Sequence, residues 1–177
     1  RQVSSAASDV YKRQEQTDAR IRVFQMNENG GTYLAKNFGI SQAKGTFIGF
    51  MDSDDYCHAQ RIEMQVDSLS SNPEAVGITH DYFRIDENSD VEFRGIGALR
   101  MACISLLIRR EVVDDIGYFD SLRVGADTEY IERIEAYYGN ERRLRVSIPS
   151  MFMMLHNSSL TGCLLYTSDA ADETCRV

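Results

Sequence analysis

Two hydrophobic periods alternate along this chain, and they predict an alternation of strands and helices. Ile21–Gln25 is apolar and polar by turns, a short strand, and Asn27–Gly31 is a turn cluster whose glycines can take positive φ. From Thr32, a candidate N-cap, Leu34, Ala35 and Phe38 fall on one helical face, predicted to point inward. Gly39 sits inside that helix at a cost of roughly 1 kcal/mol relative to Ala, which close backbone packing would explain. Lys44-Gly45 marks the helix end, with Gly45 as the left-handed C′ residue. Thr46–Met51 is a nearly unbroken apolar run, the mark of a central strand buried on both faces. Ile62, Val66 and Leu69 then predict a helix over Ala59–Ser70, ended by Ser71-Asn72-Pro73.

Beyond it, Ala75–Ile85 and Val91–Arg94 read as a hairpin or as neighbouring strands, and Gly95–Met101 as a mobile loop. The apolar segment Cys103–Ile108 leads into a helix, Arg110–Ile116, stopped by Gly117, and Tyr118–Val124 is irregular. Ile131, Ile134 and Tyr138 predict a helix over Asp127–Tyr138, and Arg143–Ile148 and Met151–His156 read as two strands around Pro149. Strand, helix and strand in this order favour parallel pairing and an α/β fold.

The two ends break the pattern. Codons can be chosen for Ser5–Gln14 whose reverse complement, read one base out of frame, encodes Cys163–Ala171. Both ends resemble a sequencing adapter translated once on each strand, so 1–14 and 163–177 are expected to be non-native tails. That leaves 15–162 as one domain, truncated at both ends and long enough for its own core. The net charge of −8 belongs wholly to this domain, because the tails carry +2 and −2. An acidic surface disfavours nucleic acid or an anionic membrane as a general partner. Only Cys57 and Cys103 lie between the tails, too few for a disulfide framework, so a reducing cytoplasmic setting is expected. No run of 18 apolar residues exists, and no transmembrane helix is predicted.

The chemistry concentrates where the central strand ends, in Asp52-Ser53-Asp54-Asp55. Carboxylates at the end of a buried strand are costly unless a cation shares them, and ligands of open α/β sheets sit beyond the strands' carboxyl ends. The plain alternative is a solvated acidic turn. A calcium loop counted from Asp52 fails, because Tyr56 stands where an oxygen ligand is needed and Cys57 where glycine is needed. An aspartyl-phosphate phosphatase, with Asp52 as nucleophile and Asp54 as acid/base, expects Thr or Val where Tyr56 stands.

A longer pattern surrounds this turn. Asn29-x-Gly31, Leu34-Ala35-Lys36-Asn37-Phe38-Gly39-Ile40, Ala43-Lys44-Gly45-Thr46-Phe47-Ile48 and Phe50-Met51-Asp52-Ser53-Asp54-Asp55 follow one another. Ile116-Gly117-Tyr118-Phe119-Asp120, Gly125-Ala126-Asp127-Thr128-Glu129, Arg133 and Ser158-Ser159-Leu160-Thr161 come later. Together they resemble the family 2 glycosyltransferases of GT-A fold, over essentially all of 15–162.

The resemblance implies a GT-A-like, mostly parallel mixed sheet flanked by helices. It also implies inverting transfer of a sugar from a nucleotide diphosphate sugar, with a UDP-sugar favoured, to a hydroxyl-bearing sugar or lipid-linked acceptor. Mg²⁺ or Mn²⁺ would neutralise the departing diphosphate, held by Asp54 with Asp52. Gly31, Lys36, Asn37, Asp52 and Ser53 would line the donor site, Asp127 would be the base, and His156 would face the diphosphate. Each has a plain alternative: a solvated lysine for Lys36, a backbone hydrogen bond for Asn37, an N-cap for Asp127 and a structural role for His156. Glu129 and Arg133 most simply form an i, i+4 ion pair. The family's setting implies cell-surface polysaccharide or glycolipid assembly, at the inner face of the membrane in a full-length parent. The strand, helix and strand that hold the base in that family would precede Ile21. The rival expectations are the phosphatase and an inert nucleotide-binding fragment.

Overall fold

Ile21–Gln25, predicted as a strand, is not one. The computed structural model describes residues 18–28, 30–52, 55–86, 88, 90–91, 99–122 and 124–154. The chain divides into two units, Arg1–Gly31 and Thr32–Val177. In the first, no described residue belongs to a helix or strand. Ile21 and Phe24 are exposed and only Val23 is half-buried, so the alternation buries no face. A strand draws its stability from cross-strand pairs on a buried face, and a pattern this weak does not fix one. Within this unit Asp18 and Arg20 pair at 2.6 Å, and Arg22 lies over the Phe24 ring.

The second unit is a mixed sheet with helices packed on it, as its strand-and-helix pattern predicts. Helix α1 spans Thr32–Gln42, strand β1 Phe47–Gly49, β2 Tyr56–Cys57, helix α2 Arg61–Ser71 and β3 Gly77–Ile85. Strand β4 (Arg100–Met101), a 3₁₀ turn at Cys103–Ser105, β5 (Leu107–Arg109) and helix α3 (Arg110–Ile116) follow. Helix α4 (Ala126–Tyr138), a 3₁₀ turn at Asn140–Arg142 and strand β6 (Arg143–Met154) complete the order. The strands lie β1-β5-β3-β6-β2, with β4 also on β3. The longest ladder is parallel, β3 with β6 over nine registered pairs, and the other strand pairs are antiparallel.

The sheet has two covered faces, because successive strand residues point oppositely. Ile48, Phe50, Ile108 and Met151 belong to one cluster, with Val112, Val113, Phe119, Tyr130, Ile131 and Ile134 from α3, α4 and their link. Ile78 and Leu107 belong to the other, with Leu69 of α2. Each fully buried side chain of this size contributes about 1.5–3 kcal/mol.

Several expectations change. The two strands expected around Pro149 are one, β6, whose register against β3 shifts where His80 faces Val146 and Asp81 faces Pro149. Proline has no N–H to give a ladder, and a bulge absorbs it without breaking the strand. The Val91–Arg94 strand reduces, among the described residues, to one bridge between Ile85 and Val91. Part of the predicted loop Gly95–Met101 is strand, as Arg100–Met101 pairs with β3, and 95–98 lie outside the described residues. Gly45 is not a left-handed cap, since α1 already ends at Gln42 and the positive-φ glycines are Gly31, Gly117, Gly125 and Gly139. Gly117 does stop α3, at φ 80.

Helices α1 and α2 are turned from their predicted faces. Leu34, Ala35 and Phe38 are exposed, while Tyr33, Lys36, Asn37 and Ile40 face inward. In α2, Arg61, Gln65 and Leu69 are buried and Ile62 is exposed. Polar side chains can point inward because partners meet them there. Gln65 Nε2 donates to the Ser105 carbonyl at 2.7 Å, and Arg61 Nη2 to the Phe50 carbonyl at 2.9 Å. Gly39 does not serve close packing, because a Cβ there would meet nothing within 4 Å.

Candidate active site

The inward face of α1 builds the site. Tyr33, Lys36, Asn37 and Ile40 stand at i, i+3, i+4 and i+7, so one helix presents them side by side. Each of the first three reaches a different part of the chain. Gly31, just before the helix, takes φ 81, a conformation glycine adopts without strain.

Lys36 meets the acidic turn. Its Nζ lies 3.0 Å from Asp52 Oδ1, with the lysine side chain 13% exposed and the aspartate's 38%. The ammonium also lies over the Tyr33 ring, 5.5 Å from its centroid. The turn is held at both ends. Arg61, 4% exposed, grips the Phe50 carbonyl before it, and Tyr56–Cys57 pair with Phe152 and Met151 of β6 after it. Burial pushes the Arg61 guanidinium below its usual range, the neighbouring Cys57 opposing the shift. Ser53 and Asp54, predicted as donor and metal residues, lie outside the described residues, as does His156.

Asn37 spends its amide on a backbone. Its Nδ2 donates to the Phe119 carbonyl at 2.8 Å, and its Oδ1 accepts the Phe119 N–H at 3.0 Å. This is the backbone hydrogen bond expected as the plain alternative to a donor contact, made to the Ile116–Asp120 segment. Two further side chains from α4 hold that segment. Arg133 donates to the Ile116 and Tyr118 carbonyls at 2.9 and 3.0 Å, and Tyr130 to the Gly117 carbonyl at 2.8 Å. Arg133 also makes the expected ion pair with Glu129, at 2.5 Å. Burial pushes the Tyr130 phenol up to about 12, so it remains a donor. Phe119 itself packs between the rings of Tyr33, Phe50 and Tyr130, with centroids 5.7, 5.1 and 4.6 Å away.

Asp127 stands in the first turn of α4. It is not the N-cap, since Gly125 holds that position at φ 84 without a side-chain cap. Instead, Asp127 Oδ1 accepts the Tyr33 hydroxyl at 3.1 Å and the Thr128 N–H at 2.9 Å. The positive end of the helix dipole favours a carboxylate there. Nearby, Cys103 Sγ lies 3.7 Å from Thr128 Oγ1, and burial pushes that thiol up, away from a reactive thiolate.

The structure therefore brings together Lys36, Asp52 and Asp127 through Tyr33, a residue the sequence reading gave no role. Its signal was available, since it lies one helical turn before Lys36 and Asn37. Among the described residues no group of three metal-ligating side chains forms. A hard divalent cation that keeps waters and binds substrate phosphates needs only one or two carboxylates, and Asp52 is the described carboxylate of the acidic turn that pairs with Lys36.

The mixed α/β sheet with helices packed on it has the fold of GT-A glycosyltransferase structures. The S. aureus TarS fragment 1–349, solved in complex with UDP-GlcNAc, matches 88% of this chain and 48% of its own at TM-score 0.66 and 16% identity. The mannosyltransferase PcManGT from Pyrobaculum calidifontis, solved with GDP-Man and Mn²⁺, matches 86% of this chain and 44% of its own at TM-score 0.60 and 16% identity. Residues 4–129 match the model of glycosyl transferase family 2, and the chain belongs to that family. TuaG of Bacillus subtilis, a glycosyltransferase named for teichuronic acid biosynthesis, is 31% identical over 71 residues, 40% of this chain and 28% of TuaG. The chain thus matches under a third of that relative and about half of the TarS fragment.

Proposed function

We propose that this chain carries the catalytic part of an inverting glycosyltransferase, which moves a sugar from a nucleotide diphosphate sugar to a hydroxyl acceptor. The observation that carries the reading is the joining of Asp52 and Asp127 through one helix: Lys36 pairs with the first and Tyr33 bonds the second. Family membership supports transfer and sets aside the aspartyl-phosphate phosphatase. The acceptor oxygen attacks the anomeric carbon, the bond from that carbon to the diphosphate oxygen breaks, and Asp127 takes the acceptor's proton. The products are a nucleoside diphosphate and a glycoside of inverted configuration.

Asp52, with Asp54, would hold Mg²⁺ or Mn²⁺, which supplies charge neutralisation at the leaving diphosphate. Lys36, already beside Asp52, adds a positive charge on the same side. Asn37 acts by positioning the Phe119 segment, and Gly31, Ser53 and His156 are the further residues we assign to the donor by family resemblance. The TarS complex makes a UDP-sugar the first donor to offer, and TuaG's name supports cell-surface polysaccharide assembly as the setting. We place the parent enzyme in the cytoplasm at the membrane's inner face. No helix among the described residues is long and apolar enough to cross a membrane.

The test is release of nucleoside diphosphate from UDP-sugars with Mn²⁺ and a hydroxyl acceptor. Asp127→Asn should retain donor binding and lose about 10²–10⁴-fold in turnover. Loss of donor affinity with the rate unchanged would place Asp127 in the donor site instead. Nucleotide binding without any turnover would favour the inert fragment.

A further inference from the structure

We infer that Tyr33 is a positioning residue for Asp127, holding its carboxylate so that Oδ1 is occupied and Oδ2 is the oxygen that takes the acceptor's proton. This rests on Asp127 being the base. Two donors converge on Oδ1: the Tyr33 hydroxyl at 3.1 Å and the Thr128 N–H at 2.9 Å. They differ in what they can fix. The Thr128 N–H is local and travels with the carboxylate, whereas Tyr33 comes from another helix, 94 residues away in sequence. Of these two donors, the tyrosine is the one that ties the rotamer of Asp127 to another element of the fold. A carboxylate oxygen accepts about two hydrogen bonds, so Oδ1 is filled and the basic lone pairs left are those of Oδ2.

Tyr33 is itself held. Its ring packs 5.7 Å from the Phe119 centroid and under the Lys36 ammonium at 5.5 Å. Burial, then the Asp127 carboxylate, pushes its phenol above the usual value, which keeps it a donor at neutral pH. The same residue touches the lysine that pairs with Asp52. The orientation of the base is therefore built from the donor-side helix, not from the helix that carries Asp127. A base set from that side receives the acceptor's hydroxyl proton at a fixed orientation to the donor, which is what effective positioning requires.

Two measurements test this. The first needs no turnover: urea unfolding of the metal-free chain and its Tyr33→Phe, Asp127→Asn and doubly substituted forms. The Tyr33 and Asp127 substitutions should be non-additive, by about fivefold or more in the unfolding equilibrium constant. Additive effects would show that the contact does not form in solution. The second is steady-state kinetics. Tyr33→Phe keeps the ring, so donor KM should hold while kcat falls about tenfold, and in the Asp127→Asn background the same change should cost nothing further. A fall in donor affinity at constant kcat, or an equal loss in both backgrounds, would overturn the inference. Tyr33→His, which keeps a ring and an N–H donor, should recover part of the lost rate, and no recovery in a folded variant counts against it. If Tyr33→Phe does not fold, the phenol is structural and the inference fails. If Asp127→Asn retains full turnover, or the unaltered chain transfers no sugar, the reading of the base fails first.

Discussion

Asn37→Ala should destabilise the chain by about 2–4 kcal/mol, although it removes only a partly buried amide from a helix face. The amide serves as donor and acceptor to one residue, Phe119, whose carbonyl and N–H lie 2.8 and 3.0 Å from it. Phe119 is 5% exposed, so truncation leaves both backbone groups with little access to water. An orphaned buried group costs about 1–3 kcal/mol, giving roughly 2–6 for the pair. Against this, Ala is a better helix former than Asn by about 0.5 kcal/mol, and the exposed Tyr118 and Leu122 let the loop relax toward solvent. The lower half of the range therefore applies. Urea unfolding should show a lower midpoint with an unchanged slope. Asn37→Asp keeps an acceptor for the Phe119 N–H but turns a carboxylate oxygen toward the Phe119 carbonyl. It should be at least as damaging as Ala. A loss under about 1 kcal/mol for Ala, or an Asp variant as stable as the parent, would refute the clamp and return Asn37 to the donor site alone.

Gly39→Ala should stabilise the chain by about 0.5–1 kcal/mol in the same assay, since a Cβ there meets open space and the helix gains propensity. Gly125→Ala should instead cost about 1–2 kcal/mol, because φ 84 strains any residue with a Cβ. His80, buried and bonded to Ser150 Oγ at 2.9 Å, has its pKa lowered by burial and then by Arg61, with Asp81 opposing. Its neutral form is favoured in the fold, so its stabilisation is complete above the unfolded pKa and is lost as pH falls through the depressed folded value. Unfolding midpoints measured from pH 7.5 down to 5 should fall, and His80→Gln should flatten that slope. Lys36→Met should weaken nucleotide binding measured by calorimetry without lowering the unfolding midpoint by more than about 1 kcal/mol, since a partly exposed ion pair contributes little to folding.

Much of this molecule is legible without a structure. The helix expected over Asp127–Tyr138, found as Ala126–Tyr138, and the stop at Gly117 follow from local rules of period and backbone freedom. The run Thr46–Met51, expected as a central strand buried on both faces, is instead the three-residue β1 at one end of the strand order, with Met51 exposed. The acidic turn and Asp127 are visible because carboxylates stand shortly after a strand and where a helix starts. What periodicity misread were α1 and α2, because it finds the inward face by counting apolar residues. Here Tyr33, Lys36 and Asn37, and likewise Arg61 and Gln65, face inward, while Leu34, Phe38 and Ile62 do not.

A polar side chain can be buried only if partners lie within reach, and those partners are distant in sequence. Asp127 is 94 residues from Tyr33, and Phe119 is 82 from Asn37. The fold class and most of the helices were therefore determined by the sequence alone. Which face of each helix turns inward, that Pro149 sits in a bulge of one strand, and that Tyr33 joins the acidic turn to the carboxylate of α4 were decided only by the tertiary structure. Local sequence fixes period, but whether a polar group is affordable at a buried position depends on what the rest of the chain places opposite it.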